Sequence, residues 1–226
     1  DRLSGIEHAV LTGGASANQI EAFLFLHGDV VLSGMDGDDR LSGTRHSDTL
    51  IGGEGSDVQL GGEGDDTYVF ELPVADSEDR VHEVPGAVPG GSDTLDFSAF
   101  PADVDLVVYL DRETAATDGS HTVRVMAGWI ENVIGGAGDD HLVGNFERNR
   151  LEGGPGSDNL EGADGDDTFV GGPGDDQMRG GRDDDRFVFT DAIGSERDEI
   201  TAGDGVDTID FSLLTGETGL RVDLSD

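Results

Sequence analysis

Ten nonapeptides that share one pattern of glycine, aspartate and an apolar residue constrain this chain more than any other feature. Four run without a break from Gly34 to Val69, with the sequences GMDGDDRLS, GTRHSDTLI, GGEGSDVQL and GGEGDDTYV. Six more run from Gly135 to Val188, with the sequences GGAGDDHLV, GNFERNRLE, GGPGSDNLE, GADGDDTFV, GGPGDDQMR and GGRDDDRFV. Position one is always glycine, position six is aspartate except at Asn149, and position eight is apolar except at Gln59. Since only 37 of the 226 residues are glycine, this register is not an accident of composition.

The pattern predicts a coil in which sharp turns alternate with short strands. Glycine at positions one, two and four permits positive φ, so six residues can turn and aim carbonyls inward beside the carboxylate of position six. Positions seven to nine suit a three-residue strand whose central side chain points inward. Two nonapeptides then form one coil, and coils stack so that each turn faces its counterpart 18 residues away. We therefore predict an all-β solenoid with flanking strands and hairpins.

The charges indicate that this coil needs a cation. Acidic residues number 50 against 13 basic ones, every basic residue is arginine, and the formal net charge is −37. Position-six aspartates would face one another across adjacent turns, which is unfavourable without a counter-charge. One inward apolar side chain per nonapeptide is too little to order nine glycine-rich residues, so we expect disorder without metal. Carbonyl and carboxylate oxygens, with no cysteine in the chain, favour Ca²⁺ over Zn²⁺ or Cu²⁺.

A longer period encloses the nonapeptides and predicts two modules. Ile6–Val10 before the first block resembles Ile130–Ile134 before the second, and Asp93–Ser98 returns as Asp207–Ser212. We place the boundary near Gly128 and expect the chain to be a fragment of a larger protein. The first module, residues 1–127, has an opening strand at 6–11, repeats at 34–69 and a flank at 70–127. The second, residues 128–226, has an opening strand at 129–134, repeats at 135–188 and a truncated flank at 189–226.

The flank between the blocks is expected to be β-structure. Val104–Leu110 and Thr122–Met126 are rich in β-branched and aliphatic residues and are separated by a polar stretch, which predicts a hairpin. We expect this hairpin to pack on the end of the coil and cover its apolar surface. Phe97, Phe100, Tyr109 and Trp129 are the candidate core aromatics, with ligand stacking as the alternative role.

Several function classes lack their sequence signals. No apolar run is long enough to span a membrane, and no basic-then-apolar N-terminal signal is present. The strong acidity argues against nucleic acid as a partner. The histidines are scattered, with no HExxH motif and no G-x-S-x-G elbow, so we predict that the chain is not an enzyme. A glycosidase-like pair of carboxylates is the alternative that sequence leaves open.

The two blocks resemble the RTX, or hemolysin-type, calcium-binding region of proteins exported by type I secretion in Gram-negative bacteria. The module order, including the segment DTxDFS, is similar to the multi-block repeats of RTX adenylate cyclase toxins and their relatives. The resemblance covers nearly the whole chain and implies a parallel β-roll with Ca²⁺ between turns 18 residues apart. Each ion there takes position-six carboxylates from both turns, with carbonyls of positions one and three from one turn and of two and four from the other.

Carried onto this chain, the resemblance implies six clear pairs of turns. They begin at Gly34 with Gly52, Gly43 with Gly61, Gly135 with Gly153, Gly144 with Gly162, Gly153 with Gly171, and Gly162 with Gly180. Two further turns that follow insertions, Pro89–Asp93 and Gly203–Asp207, are called detached turns here. With partial sites at these detached turns, we expect about six to nine Ca²⁺ ions. The implied metal ligands, by side chain or carbonyl, are Gly34, Asp36, Asp39, Gly43, Asp48, Gly52, Gly53, Gly55, Asp57, Gly61, Gly62, Gly64, Asp66, Asp93, Gly135, Ala137, Asp140, Gly144, Asn149, Gly153, Gly154, Pro155, Gly156, Asp158, Gly162, Ala163, Asp164, Gly165, Asp167, Gly171, Gly172, Gly174, Asp176, Gly180, Gly181, Asp183, Asp185 and Asp207.

Some turns depart from the family pattern. His46 and Glu147 replace the position-four glycine, Asp183 does so in the last turn, and Asn149 replaces the ligand aspartate. We therefore expect weak or empty sites at the turns that begin at Gly43 and Gly144. Asp93 and Asp207 end detached turns, and we expect them to complete sites with the Gly61 and Gly180 turns. The position-five aspartates are expected to point to solvent, with direct ligation as the alternative; they are Asp38, Asp65, Asp139, Asp166, Asp175 and Asp184.

Together these features predict a calcium-binding repeat module of a secreted RTX protein, such as a toxin. We expect it to be disordered without Ca²⁺ and to fold outside a Gram-negative cell, or on its surface, after type I secretion. Its expected partners are Ca²⁺ and, for the parent protein, the type I secretion machinery. The alternative is an adhesin-like or polysaccharide-binding module whose partner is a host surface or a neutral glycan.

Overall fold

A computed structural model of the chain describes residues 8–25, 27–71, 77–83, 91–112, 114–117, 122–125, 130–190 and 197–214. These residues contain 21 strands, which form two sheets whose members alternate along the chain over most of its length. No segment of the described ranges qualifies as a helix that could span a membrane.

The two sheets form the opposite faces of a solenoid. In spatial order the first sheet contains β1 (Ala9–Thr12), β3 (Val30–Asp36), β5 (Thr49–Glu54), β7 (Thr67–Val69), β9 (Thr94–Asp96), β13 (Asn132–Ile134), β15 (Arg150–Glu152), β17 (Thr168–Val170), β19 (Arg186–Val188) and β21 (Thr208–Asp210). The second contains β2 (Gln19–Glu21), β4 (Arg40–Ser42), β6 (Val58–Leu60), β8 (Glu78–His82), β12 (Thr122–Val125), β11 (Thr114–Thr117), β10 (Val107–Tyr109), β14 (His141–Val143), β16 (Asn159–Asp164), β18 (Gln177–Arg182) and β20 (Glu199–Asp204).

Inside each repeat block, neighbouring strands are parallel and one coil apart. Thr49 pairs with Thr67 in the first sheet, and Asn159 pairs with Gln177 in the second. Positions seven to nine supply these strands, because the turn residues before them reverse the chain. The predicted all-β parallel β-roll is confirmed.

Insertions lengthen individual coils without interrupting the stack. In the second sheet Val58 pairs with Arg80, and in the first sheet Thr67 pairs with Thr94. Strand β9 pairs with β7 on one side and β13 on the other, so the first sheet runs continuously from one repeat block into the next. The division into modules of residues 1–127 and 128–226 stays a prediction.

The predicted strands between the blocks lie within the second sheet rather than over the end of a coil. Strand β12 is parallel to β8, β10 is parallel to β14, and β11 joins them with antiparallel pairing on both sides. This meander provides backbone partners for the facing edges of β8 and β14. Since unpaired backbone groups inside a sheet are costly, filling the gap is more favourable than covering a surface elsewhere.

The core is a column of position-eight side chains. Leu50, Leu142, Leu151 and Leu160 are fully buried, as are the aromatic rings at the same position of other repeats. Phe169 and Phe187 stack with ring centroids 5.0 Å apart, one coil above the other. The core contacts therefore follow the same one-coil spacing as the turns.

Phenylalanine replaces the position-one glycine where each repeat block ends. Phe70 follows β7 and stacks on Phe97, which follows β9, with centroids 4.7 Å apart. Phe189 and Phe211 follow β19 and β21 in the same way, with centroids 4.9 Å apart.

The predicted core aromatics take different environments. Phe97 and Phe100 are buried as predicted, whereas Tyr109 is half-buried beside His141 with the Arg112 guanidinium over its ring. Trp129 lies outside the described residues.

Gln59 is a polar exception in the core, and its replacement by leucine should stabilise the fold. Its side chain is fully buried at position eight, and neither its amide nitrogen nor its oxygen has a hydrogen-bond partner among the described residues. Removing this unsatisfied group should raise the free energy of unfolding by about 1–3 kcal/mol. Urea denaturation of Gln59→Leu in saturating Ca²⁺ measures this change. The same substitution at the exposed Gln177 is the control, and equal effects of the two substitutions would contradict the prediction.

Candidate metal centres

The turns of the repeats fall into two conformations, which differ at positions two and four. In seven of the ten repeat turns, both positions have positive φ; we call these left-handed turns, and they begin at Gly34, Gly52, Gly61, Gly153, Gly162, Gly171 and Gly180. Glycine occupies most of these positions, but Met35, Ala163 and Asp183 adopt φ of 78°, 92° and 72°. Because a side chain is strained at such angles, the surrounding stack must impose the conformation.

Glycine at position one makes room for a carboxylate. A Cβ added at Gly52 would collide with Oδ2 of Asp57, and one added at Gly171 would collide with Oδ2 of Asp176. The position-six side chain therefore folds back over the start of its own turn. This placement explains why position one is glycine in all ten repeats.

One oxygen of each position-six carboxylate bonds to the preceding turn on the same side of the solenoid. The backbone N–H of Asp39 donates to Oδ1 of Asp57 at 2.8 Å, and that of Asp167 donates to Oδ1 of Asp185 at 3.0 Å. The same bond joins Asp140 to Asp158 and Asp158 to Asp176 at 2.8 and 2.9 Å. Repeated along the stack, these bonds form a ladder on each side of the solenoid.

The second oxygen has no such partner in six of the seven left-handed turns. Oδ2 is buried and accepts no hydrogen bond from any described group in Asp39, Asp57, Asp66, Asp158, Asp167 and Asp185. A buried anionic oxygen without a donor or counter-charge is strongly unfavourable. These atoms are therefore the best indication of where a cation would bind.

The three other repeat turns, which begin at Gly43, Gly135 and Gly144, satisfy this oxygen internally. The N–H of Thr44 donates to Oδ2 of Asp48 at 2.5 Å, and that of Gly136 donates to Oδ2 of Asp140 at 2.6 Å. In the third turn, the N–H of Asn145 donates to Oδ1 of Asn149 at 2.7 Å. None of these position-two residues has positive φ, so the conformation of position two decides whether the oxygen stays available.

Backbone carbonyls also point into the space between paired left-handed turns. In the pair that begins at Gly153 and Gly171, the N–H groups of Gly154 and Gly156 donate to the carbonyls of Gly171 and Pro173, both at 3.0 Å. The carbonyls of Gly154 and Gly156 point the other way, to where a Cβ would stand on Gly172 and Gly174. The structure thus brings together the carbonyls of positions one and three from one turn and of two and four from the other.

The pairs implied by the resemblance are not equivalent in the structure. Left-handed turns form both members of the pairs Gly34 with Gly52, Gly153 with Gly171, and Gly162 with Gly180. Each remaining pair contains one turn that begins at Gly43, Gly135 or Gly144. The detached turns do join the ladder, since Asp66 donates its N–H to Asp93 and Asp185 donates its N–H to Asp207, at 2.8 and 3.0 Å.

Burial raises the pKa of the position-six carboxyls, and neighbouring carboxylates (aspartates and, for Asp66, also Glu83) raise it further. The pKa of Asp57 and Asp167 rises to about 7, that of Asp158 to about 8 and that of Asp66 to about 9. A carboxyl in such surroundings retains its charge at neutral pH only if a cation compensates it. The oxygen-only donor set fits a hard cation such as Ca²⁺.

Three further acidic residues occupy position six, and the sequence analysis missed them. Asp79 accepts the N–H of Asp57 at 2.8 Å, Asp198 accepts that of Asp176 at 3.1 Å, and Glu131 accepts that of Asp93 at 2.9 Å. An aspartate two residues before an apolar residue, as in Asp79-Arg80-Val81 and Asp198-Glu199-Ile200, is the end of the nonapeptide pattern. This pairing of an aspartate with an apolar residue can be recognised in the sequence even where the glycines of the turn are missing.

The position-five aspartates do more than face solvent. Asp38 accepts the N–H of Ser56 at 3.0 Å, and Asp139 accepts that of Ser157 at 2.8 Å, one coil later in both cases. These aspartates are solvent-exposed, as expected, and they also accept backbone hydrogen bonds. Their bonds run toward the following coil, opposite to those of position six.

Comparison with known sequences gives one family. The RTX calcium-binding nonapeptide repeat matches the chain in four copies, over residues 31–68, 134–169, 152–187 and 194–213. No curated protein matches the chain. The last copy covers the coil that contains Asp198 and Asp207, beyond the ten regular nonapeptides.

The raised pKa values predict that protons stabilise the metal-free β-roll. At pH values between the ordinary carboxyl pKa of about 4 and the raised pKa values, the folded chain binds more protons than the unfolded chain. Folded content in a chelator should therefore increase as the pH falls from about 8 to about 5, and be lost as the pH rises through the raised values. Far-UV circular dichroism measures this content, with saturating Ca²⁺ as the control in which the dependence is weaker. A folded content that stays constant or falls on acidification would show that these carboxyls are not buried.

Proposed function

Because the chain belongs to the RTX calcium-binding nonapeptide repeat family, we propose that it is a calcium-dependent folding module of a secreted protein. One observation carries the proposal: successive left-handed turns bury carboxylate oxygens that have no described donor. A chain with these atoms in place is stable only when a proton or a cation compensates them.

Calcium fits the donors that the turns provide. The side chains of Asp57, Asp158 and Asp167 would hold the ions together with the carbonyls of the facing turns. A bound Ca²⁺ supplies two positive charges and accepts six to eight oxygen ligands in flexible geometry. Mg²⁺ requires a small octahedral site and dehydrates reluctantly, so it should substitute poorly.

Among the regular pairs of turns, those formed by two left-handed turns should bind most tightly. In these pairs both position-two residues leave Oδ2 available, whereas Asp48, Asp140 and Asn149 have already given an oxygen to their own turn. We retain the expectation of about six to nine ions, with the mixed pairs as the weaker sites.

The coupling of folding to metal suits export. RTX repeat proteins are typically secreted from Gram-negative bacteria, and a cytosol poor in free Ca²⁺ would keep this acidic chain extended for passage through a type I channel. Because metal binds only the folded module, each site adds stability according to the free Ca²⁺ concentration outside. The module itself would be structural rather than catalytic.

We expect the chain to be largely disordered in EGTA and to fold into a β-structure in millimolar Ca²⁺. The reason is that the unpartnered carboxylates repel one another until a cation lies between them. Far-UV circular dichroism during a Ca²⁺ titration measures the transition, with Mg²⁺ at the same concentrations as the control. A native β spectrum that persists in EGTA at neutral pH would exclude calcium-dependent folding.

Replacing both carboxylates of one turn pair should raise the Ca²⁺ midpoint of folding several-fold. Asp158→Asn with Asp176→Asn preserves side-chain size and the Oδ1 acceptor, but it replaces the second oxygen by an N–H donor. The matched control is Asp139→Asn with Asp175→Asn, which removes the same charge from position five of the turns that begin at Gly135 and Gly171. Equal midpoints for the two double variants would mean that position six does not hold the ion.

A further inference from the structure

Glu83 occupies a position that glycine holds in the repeat turns. Strand β8 pairs with β6 so that His82 lies beside Leu60, and the next residues, Glu83 and Gly61, therefore share position one. A glutamate side chain here enters the space over the turn that ends at Asp93. In the sequence, residues 83–93 span 11 positions, five more than positions one to six of a nonapeptide.

The side chain of Glu83 meets two position-six carboxylates. Carboxylate oxygens of Asp66, Glu83 and Asp93, one from each, all lie within 4.8 Å of one another. Asp66 and Asp93 are 0% and 2% exposed, and Glu83 is 7% exposed. Three acids buried this closely need a cation or shared protons.

The hydrogen bonds around this cluster leave an oxygen directed into it. Oδ1 of Asp66 accepts the N–H of Asp48, and Oδ1 of Asp93 accepts the N–H of Asp66, at 2.7 and 2.8 Å. Tyr68 donates its hydroxyl proton to Glu83, and the hydroxyl oxygen accepts the N–H of Gly61 at 2.8 Å. Oδ2 of the fully buried Asp66 has no described partner, and this atom is independent evidence for a ligand.

We propose that Asp66, Glu83 and Asp93 form a calcium site of a different composition from the turn pairs. The proposal rests on the proposed function, since it assumes a chain that folds with Ca²⁺. Three carboxylates in place of two give the site more negative charge, and ligand charge raises affinity for Ca²⁺. This site should therefore fill before the regular pairs.

The site would also secure the junction between the two repeat blocks. Asp93 precedes β9, the strand that links β7 of the first block to β13 of the second. The carbonyl of Gly64 points at Gly91, so the backbone of the turn approaches the same region. An ion here would hold Glu83 and Asp93 against the last regular turn of the first block.

Calorimetric titration of the whole chain with Ca²⁺ tests the site through Glu83→Gln. This variant keeps the size of the side chain and an acceptor for Tyr68 but removes the charge. We expect one ion fewer than in the wild type, or one ion bound about tenfold more weakly. Glu63→Gln is the control, because Glu63 is exposed in the adjacent turn and carries the same charge. Identical titrations of Glu83→Gln and wild type would overturn the proposal.

Terbium luminescence gives a second measurement that does not depend on folding of the Glu83 variant. Tyr68 should sensitise Tb³⁺ bound beside it, so Tyr68→Phe should reduce the emission of the first Tb³⁺ equivalent several-fold while all three carboxylates remain. Unchanged emission would overturn the site. Failure of the wild-type chain to bind Ca²⁺ at all would instead overturn the proposed function, whereas binding by the wild type with no effect of either substitution overturns this site alone.

Discussion

The structure depends on how the aspartate at position six divides its two oxygens. One oxygen accepts a backbone N–H from the preceding turn, as Asp57 does from Asp39, and so ties consecutive coils together. The other is buried without a described donor in most left-handed turns. The same side chain therefore organises the stack and creates its main electrostatic cost. A hard cation between turns would offset that cost and would leave the first oxygen free to keep its backbone hydrogen bond.

Backbone conformation at position two controls this arrangement. Where φ is positive, as at Gly154, the N–H donates to the facing turn rather than to its own aspartate, and Oδ2 of Asp158 has no described donor. Where φ is not positive, as at Thr44, the N–H donates a hydrogen bond to Oδ2 of the aspartate in its own turn. Gly136 shows that glycine alone is insufficient, since it bonds Asp140 like the other non-left-handed residues. Met35 and Ala163 show that the stack can impose positive φ on a residue with a side chain.

Much of this architecture could be predicted from spacing. Glycine, aspartate and an apolar residue in a fixed nine-residue order determine the turns, the strands and the inward side chains, and all three are present in the structure. The placement of the position-six carboxylates in the regular repeats follows from the same order. The hydrogen bond from Gly136 to Oδ2 of Asp140 does not, because it depends on the backbone φ of Gly136.

Prediction failed where insertions removed the glycines. Asp79 and Asp198 continue the ladder from coils lengthened by loops, and Glu83 reaches the interior from a position that the pattern reserves for glycine. The meander of β10 to β12 was recognised as strands, but its place in the sheet depends on the free edges of β8 and β14. Such pairings join distant parts of the chain, and no local pattern encodes them.

The stacked phenylalanines would limit where the proposed ions could bind along one side of the solenoid. At Phe70 and Phe97, and again at Phe189 and Phe211, a ring stands at position one, the place that glycine leaves open over the carboxylate in the repeats. The ring contacts between these coils are apolar and involve no carboxylate. If the regular turn pairs hold Ca²⁺ as proposed, the solenoid alternates segments that respond to metal with short segments whose ring contacts do not. Such an arrangement would let the non-responsive segments retain local contacts in the metal-free chain and act as starting points from which the neighbouring coils assemble.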